Sequence, residues 1–188
     1  MNLEKLFKMQ KELDERILDR FPELRNENLL DKKILALQVE LGELAQNWRG
    51  FKYWSEDRFP RTKAFKTVDT DMKVKTNPLL EEYVDCLHFI LSIGNDLGMS
   101  ETITVEWISE QGDYSEETTT DTFICLLQEV AGINTYHQQY VRDKYETAFL
   151  ILIALGLEER HLGFTWEQIE QAYFAKNEEN HQRQENGY

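Results

Sequence analysis

Leu30-Asp31-Lys32-Lys33-Ile34-Leu35-Ala36-Leu37-Gln38-Val39-Glu40-Leu41-Gly42-Glu43-Leu44-Ala45-Gln46-Asn47-Trp48 places Leu30, Ile34, Leu37, Leu41, Leu44 and Trp48 three or four residues apart, on one stripe of a helix. Asn28 just ahead of it and Gly50 just behind it supply start and stop signals. A second stretch opens at Pro78 and runs from Leu79 to about Leu97, closed by Gly98. Its apolar residues occupy nearly every face, the pattern of a helix buried in the middle of a bundle. These two segments predict an all-α fold.

The flanking sequence agrees. Leu3, Leu6, Phe7, Met9, Leu13, Ile17 and Leu18 keep a helical period until Pro22 closes the segment. Further helices are predicted from about Thr119 to Tyr140, from about Lys144 to Leu157, and from Thr165 after Gly163. Residues 51–77 mix scattered aromatics, basic residues, Pro60 and Thr-Asp pairs, and read as a mobile connection or insertion with at most a short helical turn. Residues 100–117 read as irregular or a short helix, and no segment reads as a strand. The expectation is one all-α domain over 1–188, a bundle of about six helices around a four-helix core.

Composition narrows the function. The chain has 35 Asp and Glu against 21 Lys and Arg, a formal net charge of −14. Gripping a nucleic-acid polymer over a broad surface requires clustered positive charge, so that partner class is not expected. Carboxylates gathered in one pocket would instead attract hard divalent cations, which can carry a polyphosphate's charge. Cys86 and Cys125 lie in apolar stretches where core packing is expected rather than a disulfide or metal ligation. Neither a signal-peptide core nor a run of roughly 20 apolar residues is present, so no membrane association and a cytoplasmic location are expected.

Glu40 and Glu43 stand three apart on the first quoted helix, and Glu82 and Asp85 three apart on the second, each pair on one face. Either pair alone is an ordinary feature of a charged helix. Here both interrupt strongly apolar surroundings, and four carboxylates converging in a bundle would repel one another unless a cation joined them. Oxygen donors without a His or Cys majority favour Mg²⁺, with Mn²⁺ a substitute, over Zn²⁺.

Glu40-x-x-Glu43 followed by Glu82-x-x-Asp85 resembles the E-x-x-E … E-x-x-D metal motif of the all-α nucleotide pyrophosphohydrolases, which include MazG-like proteins and the dimeric dUTPases. Trp48-Arg49-Gly50-Phe51-Lys52-Tyr53-Trp54 resembles the Trp/Lys-rich segment that follows the first motif in dimeric dUTPases. Glu82-Tyr83-Val84-Asp85-Cys86-Leu87-His88-Phe89 is similar to their second motif. Tyr173-x-x-Lys176-Asn177-x-x-Asn180-x-x-Arg183-Gln184-x-x-Gly187-Tyr188 is similar to their closing motif. With Gln10 in the first helix, the likeness spans nearly the whole chain.

The resemblance implies hydrolysis of dUTP to dUMP and pyrophosphate, with Glu40, Glu43, Glu82 and Asp85 holding Mg²⁺ against the triphosphate. A metal-oriented water would attack, with Glu43 by preference, or Glu40, taking its proton. Lys176 and Arg183, seven apart on one helical face, suit a phosphate clamp. Gln10 and Asn180 suit the uracil edge, Trp48 stacking on base or deoxyribose, and His88 the sugar hydroxyl or a carboxylate. A homodimer is also implied. Three alternatives stay open: the same chemistry on other nucleotides, a di-iron bundle built on Glu158-x-x-His161 and Glu178-x-x-His181, and a non-enzymatic helical interaction protein.

Overall fold

The computed structural model describes residues 2–68, 72–133 and 140–186. Seven helices dominate them: α1 (Leu3–Arg20), α2 (Leu30–Trp48), α3 (Pro78–Asp96), α4 (Val105–Glu110), α5 (Thr119–Gly132), α6 (Val141–Leu157) and α7 (Trp166–Asn186). A 3-10 turn, Pro22–Asn26, follows α1, and two short strands, β1 (Ala64–Val68) and β2 (Met72–Thr76), stand between α2 and α3.

Local chemistry sets the helix starts. The Asn2 side chain accepts from the Lys5 N–H ahead of α1, and that of Asn77 accepts from Leu80 N–H with Pro78 in the first turn of α3. Thr104 and Thr118 cap α4 and α5 in the same way. At the end of α2 the left-handed residue is Arg49, with φ 67°, and not Gly50. Gly50 answers a different need: the Trp48 ring lies over it, and a Cβ there would come within 2.3 Å of that ring.

The core sits where the apolar stripes meet. α3 packs against α1, α2, α6 and α7, and α5 packs against α2 and α6. Leu37, Leu41 and Leu44 of α2 face Tyr83, Val84 and Leu87 of α3 in one buried cluster. Two glycines allow close approach: Gly94 of α3 lies against Tyr145, and Gly156 of α6 against Tyr83. Cys86 is buried as expected, whereas Cys125 is only partly covered and lies 3.4 Å from a Glu116 carboxylate oxygen.

Residues 51–77 depart from the expectation of a strandless mobile connection. β1 and β2 form an antiparallel hairpin pairing Ala64 with Thr76 and Val68 with Met72. Met72-Lys73-Val74-Lys75 does alternate, but over only four residues, and Phe65 (72% exposed) and Val74 (44%) stand outside the core. The segment before the hairpin is tied down. Arg61 N–H donates to the Asn47 carbonyl and Leu79 N–H to the Arg61 carbonyl, joining the end of α2 to the start of α3. Arg49 and Arg61 both grip Asp57. The helix expected to reach Tyr140 stops at Gly132, and residues 134–139, like Gly187 and Tyr188 of the closing motif, lie outside the described residues.

Candidate active site

The contact between α2 and α3 is the most extensive in the molecule and brings the two acidic pairs to one seam. The leucines of α2 point into the core, which leaves Glu40 and Glu43 at the edge of the same helix. Tyr83, Val84 and Leu87 likewise hold Glu82 and Asp85 at the edge of α3. Oxygen atoms of Glu40, Glu82 and Asp85 lie within 4.8 Å of one another. Among the described residues this is the sole group of three or more His, Cys, Asp and Glu side chains close enough to share a metal ion. The Glu-x-x-His pairs do not contribute to it; Glu158 and His161 instead bind Ser115, Arg160, Thr119 and Thr122. Glu43 is exposed at the rim, outside the trio yet near enough to act on the charge of Glu40 and Glu82.

Burial and mutual repulsion dominate the electrostatics of the acidic cluster. Burial, and then the charges of Asp85, Glu43 and Glu82, push the Glu40 carboxyl up to about 7. Burial, and then the charges of Asp85 and Glu43, raise Glu82. Asp85 is raised by burial although the Lys176 ammonium opposes it. Lys176 reaches in from α7, its Nζ 2.6 Å from Asp85 Oδ2. Asn47 Nδ2 donates to Glu82 Oε1 at 3.3 Å. Three half-buried carboxylates with one ammonium among them fit a hard divalent cation bound by oxygen.

A cavity of about 390 Å³ opens beside the trio, in the size range of small-molecule sites. Glu40, Asp85, Lys176, Asn180 and Arg183 line its charged side. Leu13, Ile17, Leu18, Leu29 and Phe89 supply its apolar lining. The cavity thus combines charged and apolar lining, as a nucleotide requires.

Gln10 and His88 belong to a buried network between these regions. Tyr173 OH donates to Gln10 Oε1 at 3.1 Å, and His88 Nδ1 lies 2.7 Å from the same oxygen. Gln10 Nε2 donates to Asp14 Oδ1 at 2.8 Å, and Ser92 Oγ donates to Asp14 Oδ2 at 2.6 Å. With Gln10 Oε1 accepting, Nδ1 carries the His88 proton and Nε2 is left as a bare acceptor, buried and without a partner among the described residues. Burial, with the Lys176 charge adding to it, pushes His88 down to about 3, so the ring stays neutral. The ring also stacks on Tyr173, with centroids 4.1 Å apart.

Of the residues singled out in the sequence, Gln10, Glu40, Asp85, His88, Lys176, Asn180 and Arg183 line the cavity, Glu82 completes the acidic trio beside it, and Glu43 stays exposed outside both. Trp48 does not line it: its ring packs on Phe123 of α5, centroids 5.4 Å apart, and leans on the core. Asn47, which donates to Glu82, and four further polar residues of the site escaped the sequence reading. Asp14 and Ser92 lie four residues after Gln10 and His88, so a search for polar residues one turn from each would have found them. Lys33 Nζ lies 3.5 Å from Asp14 Oδ2 and 2.7 Å from Asp96, and Glu179 links Arg183 (2.7 Å) to Lys66 of the hairpin (3.2 Å). Glu179 stands one turn before Arg183, a spacing the same search would have found, whereas no local pattern marks Lys33.

No curated protein matches the chain. One family profile, described as dUTPase, matches residues 2–188, which takes in all of the helices and every side chain of the seam and the cavity. The chain therefore belongs to the dUTPase family, whose activity is the hydrolysis of dUTP.

Proposed function

We propose that the chain, acting as one domain, cleaves dUTP to dUMP and pyrophosphate at the seam of α2 and α3, with Mg²⁺ bound there. The observation that carries this reading is the trio Glu40, Glu82 and Asp85 beside a nucleotide-sized cavity. When bound, Mg²⁺ neutralises the triphosphate and lowers the cost of generating a nucleophile from water, and Mn²⁺ can substitute.

The chain's own residues supply the rest. Glu40, Glu82 and Asp85 provide the oxygen donors. Glu43, exposed and outside the trio, is free to accept the proton of the attacking water. Lys176 and Arg183 hold phosphate oxygens, the first as a point charge and the second as a planar fork. The bare His88 Nε2 accepts from a sugar hydroxyl, and Gln10 fixes the tautomer that makes this so. Asn180 and the remaining Nε2 proton of Gln10 address the base edge while Phe89 and Leu13 cover its faces.

The working form is proposed to be a homodimer. Leu35 and Val39 of α2 are 62% and 51% exposed, and Ile124 and Leu127 are left exposed on α5, the helix packed against α2. A second copy would cover them. No helix among the described residues is long and apolar enough to cross a membrane, and the two free thiols suit the cytoplasm.

Pyrophosphate release from a panel of deoxy- and ribonucleoside triphosphates with Mg²⁺, wild type against Glu43→Gln, tests the assignment. Turnover of dUTP, lost in the variant, is expected. Equal turnover of dCTP would keep the chemistry and remove the uracil assignment. No turnover of any nucleotide would remove both.

A further inference from the structure

Lys176 stands among the three carboxylates, and its place is unusual for a phosphate-binding lysine. Its Nζ lies 2.6 Å from Asp85 Oδ2, and both side chains are about four-fifths buried. The same ammonium also lowers the cost of charge on Glu40 and Glu82. It therefore sits in the field of all three oxygen donors that a divalent cation would use.

We propose that Lys176 is the resident counter-cation of the metal-free site, and that metal loading shifts its ammonium from Asp85 to the triphosphate, making metal and nucleotide binding cooperative. This rests on the metal and nucleotide reading of the site given above. A divalent ion and an ammonium a few ångströms apart repel strongly in a half-buried setting, and both cannot take the same Asp85 oxygen. The displaced ammonium stays on the cavity wall, because Lys176 shares one face of α7 with Asn180 and Arg183. Glu179, three residues on along that helix, is already held by Arg183 and Lys66. Without nucleotide, the metal must expel a cation that has no better partner. With nucleotide present, the phosphates receive it. Each ligand then strengthens the other by the same factor.

The arrangement also explains how the seam tolerates its carboxylates before loading. One ammonium spares the fold the full repulsion of three acids in a dry setting.

Calorimetric titration of Mn²⁺ into the metal-free protein tests this, with and without the α,β-imido analogue of dUTP, for wild type, Lys176→Met, Lys176→Gln and Glu82→Gln. The wild type is expected to bind Mn²⁺ about tenfold or more tightly when the analogue is present. Lys176→Met is expected to bind Mn²⁺ alone about tenfold more tightly than the wild type and to lose most of that coupling. Lys176→Gln, which keeps a polar side chain, is expected to show the same order and guards against a folding defect in the Met variant. Unchanged or weaker Mn²⁺ binding in both Lys176 variants, with binding still abolished in Glu82→Gln, overturns the counter-cation role and leaves the metal site standing. Wild-type Mn²⁺ affinity in Glu82→Gln overturns the metal site and the counter-cation role together.

Discussion

Glu40 and His88 are charged and neutral respectively in ordinary exposed settings at pH 7, and the site moves each in a definite direction. Glu40 titrates near 7 in the folded chain against 4.5 for an ordinary glutamate. Between those values the folded state holds a proton that the unfolded state has released, so native stability falls as pH rises through that window. A bound divalent cation offsets this by favouring the ionised form. Without metal, the melting temperature is expected to fall from pH 5.5 to pH 8. The increment produced by saturating Mg²⁺ should grow over the same range, as differential scanning calorimetry would show. An increment as large at pH 5.5 as at pH 8 contradicts the assignment of Glu40 as a ligand. His88 is the quieter residue. Its Nδ1 proton is held by Gln10 and its shift is downward, so ¹⁵N spectra should show Nε2 unprotonated and no titration from pH 5 to 9. Gln10→Leu removes that acceptor and is expected to restore exchange between the two tautomers.

The helices differ in how openly their sequences announce them. α2 and α3 carry their positions in the apolar spacing, because each buries a broad stripe or the whole helix surface. The β-hairpin was not legible, because its strands are short and the exposed Phe65 and Val74 impose no period of two. Its contacts suggest a small role in stability. Arg61 already bridges the ends of α2 and α3, so replacing residues 63–76 with a short Gly/Ser linker should shift the melting temperature by no more than roughly 2 °C, well below the loss expected for a core element. The close contact of α6 and α3 should be far less forgiving. A Cβ at Gly156 would stand 2.3 Å from the ring of Tyr83, whose hydroxyl donates to the Leu152 carbonyl. Gly156→Ala is expected to cost about 1–3 kcal/mol in urea unfolding. Because Tyr83 adjoins Glu82, it should also weaken metal binding. A variant as stable as the wild type would show that this contact has slack.

At the scale of the whole molecule, the acidic pairs could be found in the sequence because each occupies one helix face three residues apart. Their convergence could not, since it depends on how α2 lies against α3. The same holds for Lys33 and Lys66, which reach the site across tertiary contacts with no spacing to mark them. Trp48 shows the converse: a residue beside the first motif whose ring the fold turns towards Phe123. The exposed stripe of Leu35 and Val39 makes the assembly testable, since Val39→Asp should convert a dimer to a monomer in sedimentation at micromolar concentration. The account turns most directly on the α2–α3 seam. Initial rates of dUTP hydrolysis with Mg²⁺, with products identified by mass, should give dUMP and pyrophosphate in equal amounts for the wild type. Glu82→Gln should be slower by about a hundredfold or more while its helical circular dichroism is unchanged. Wild-type rates in Glu82→Gln, or dUDP and phosphate as the products, would contradict the assignment of the chemistry to this seam.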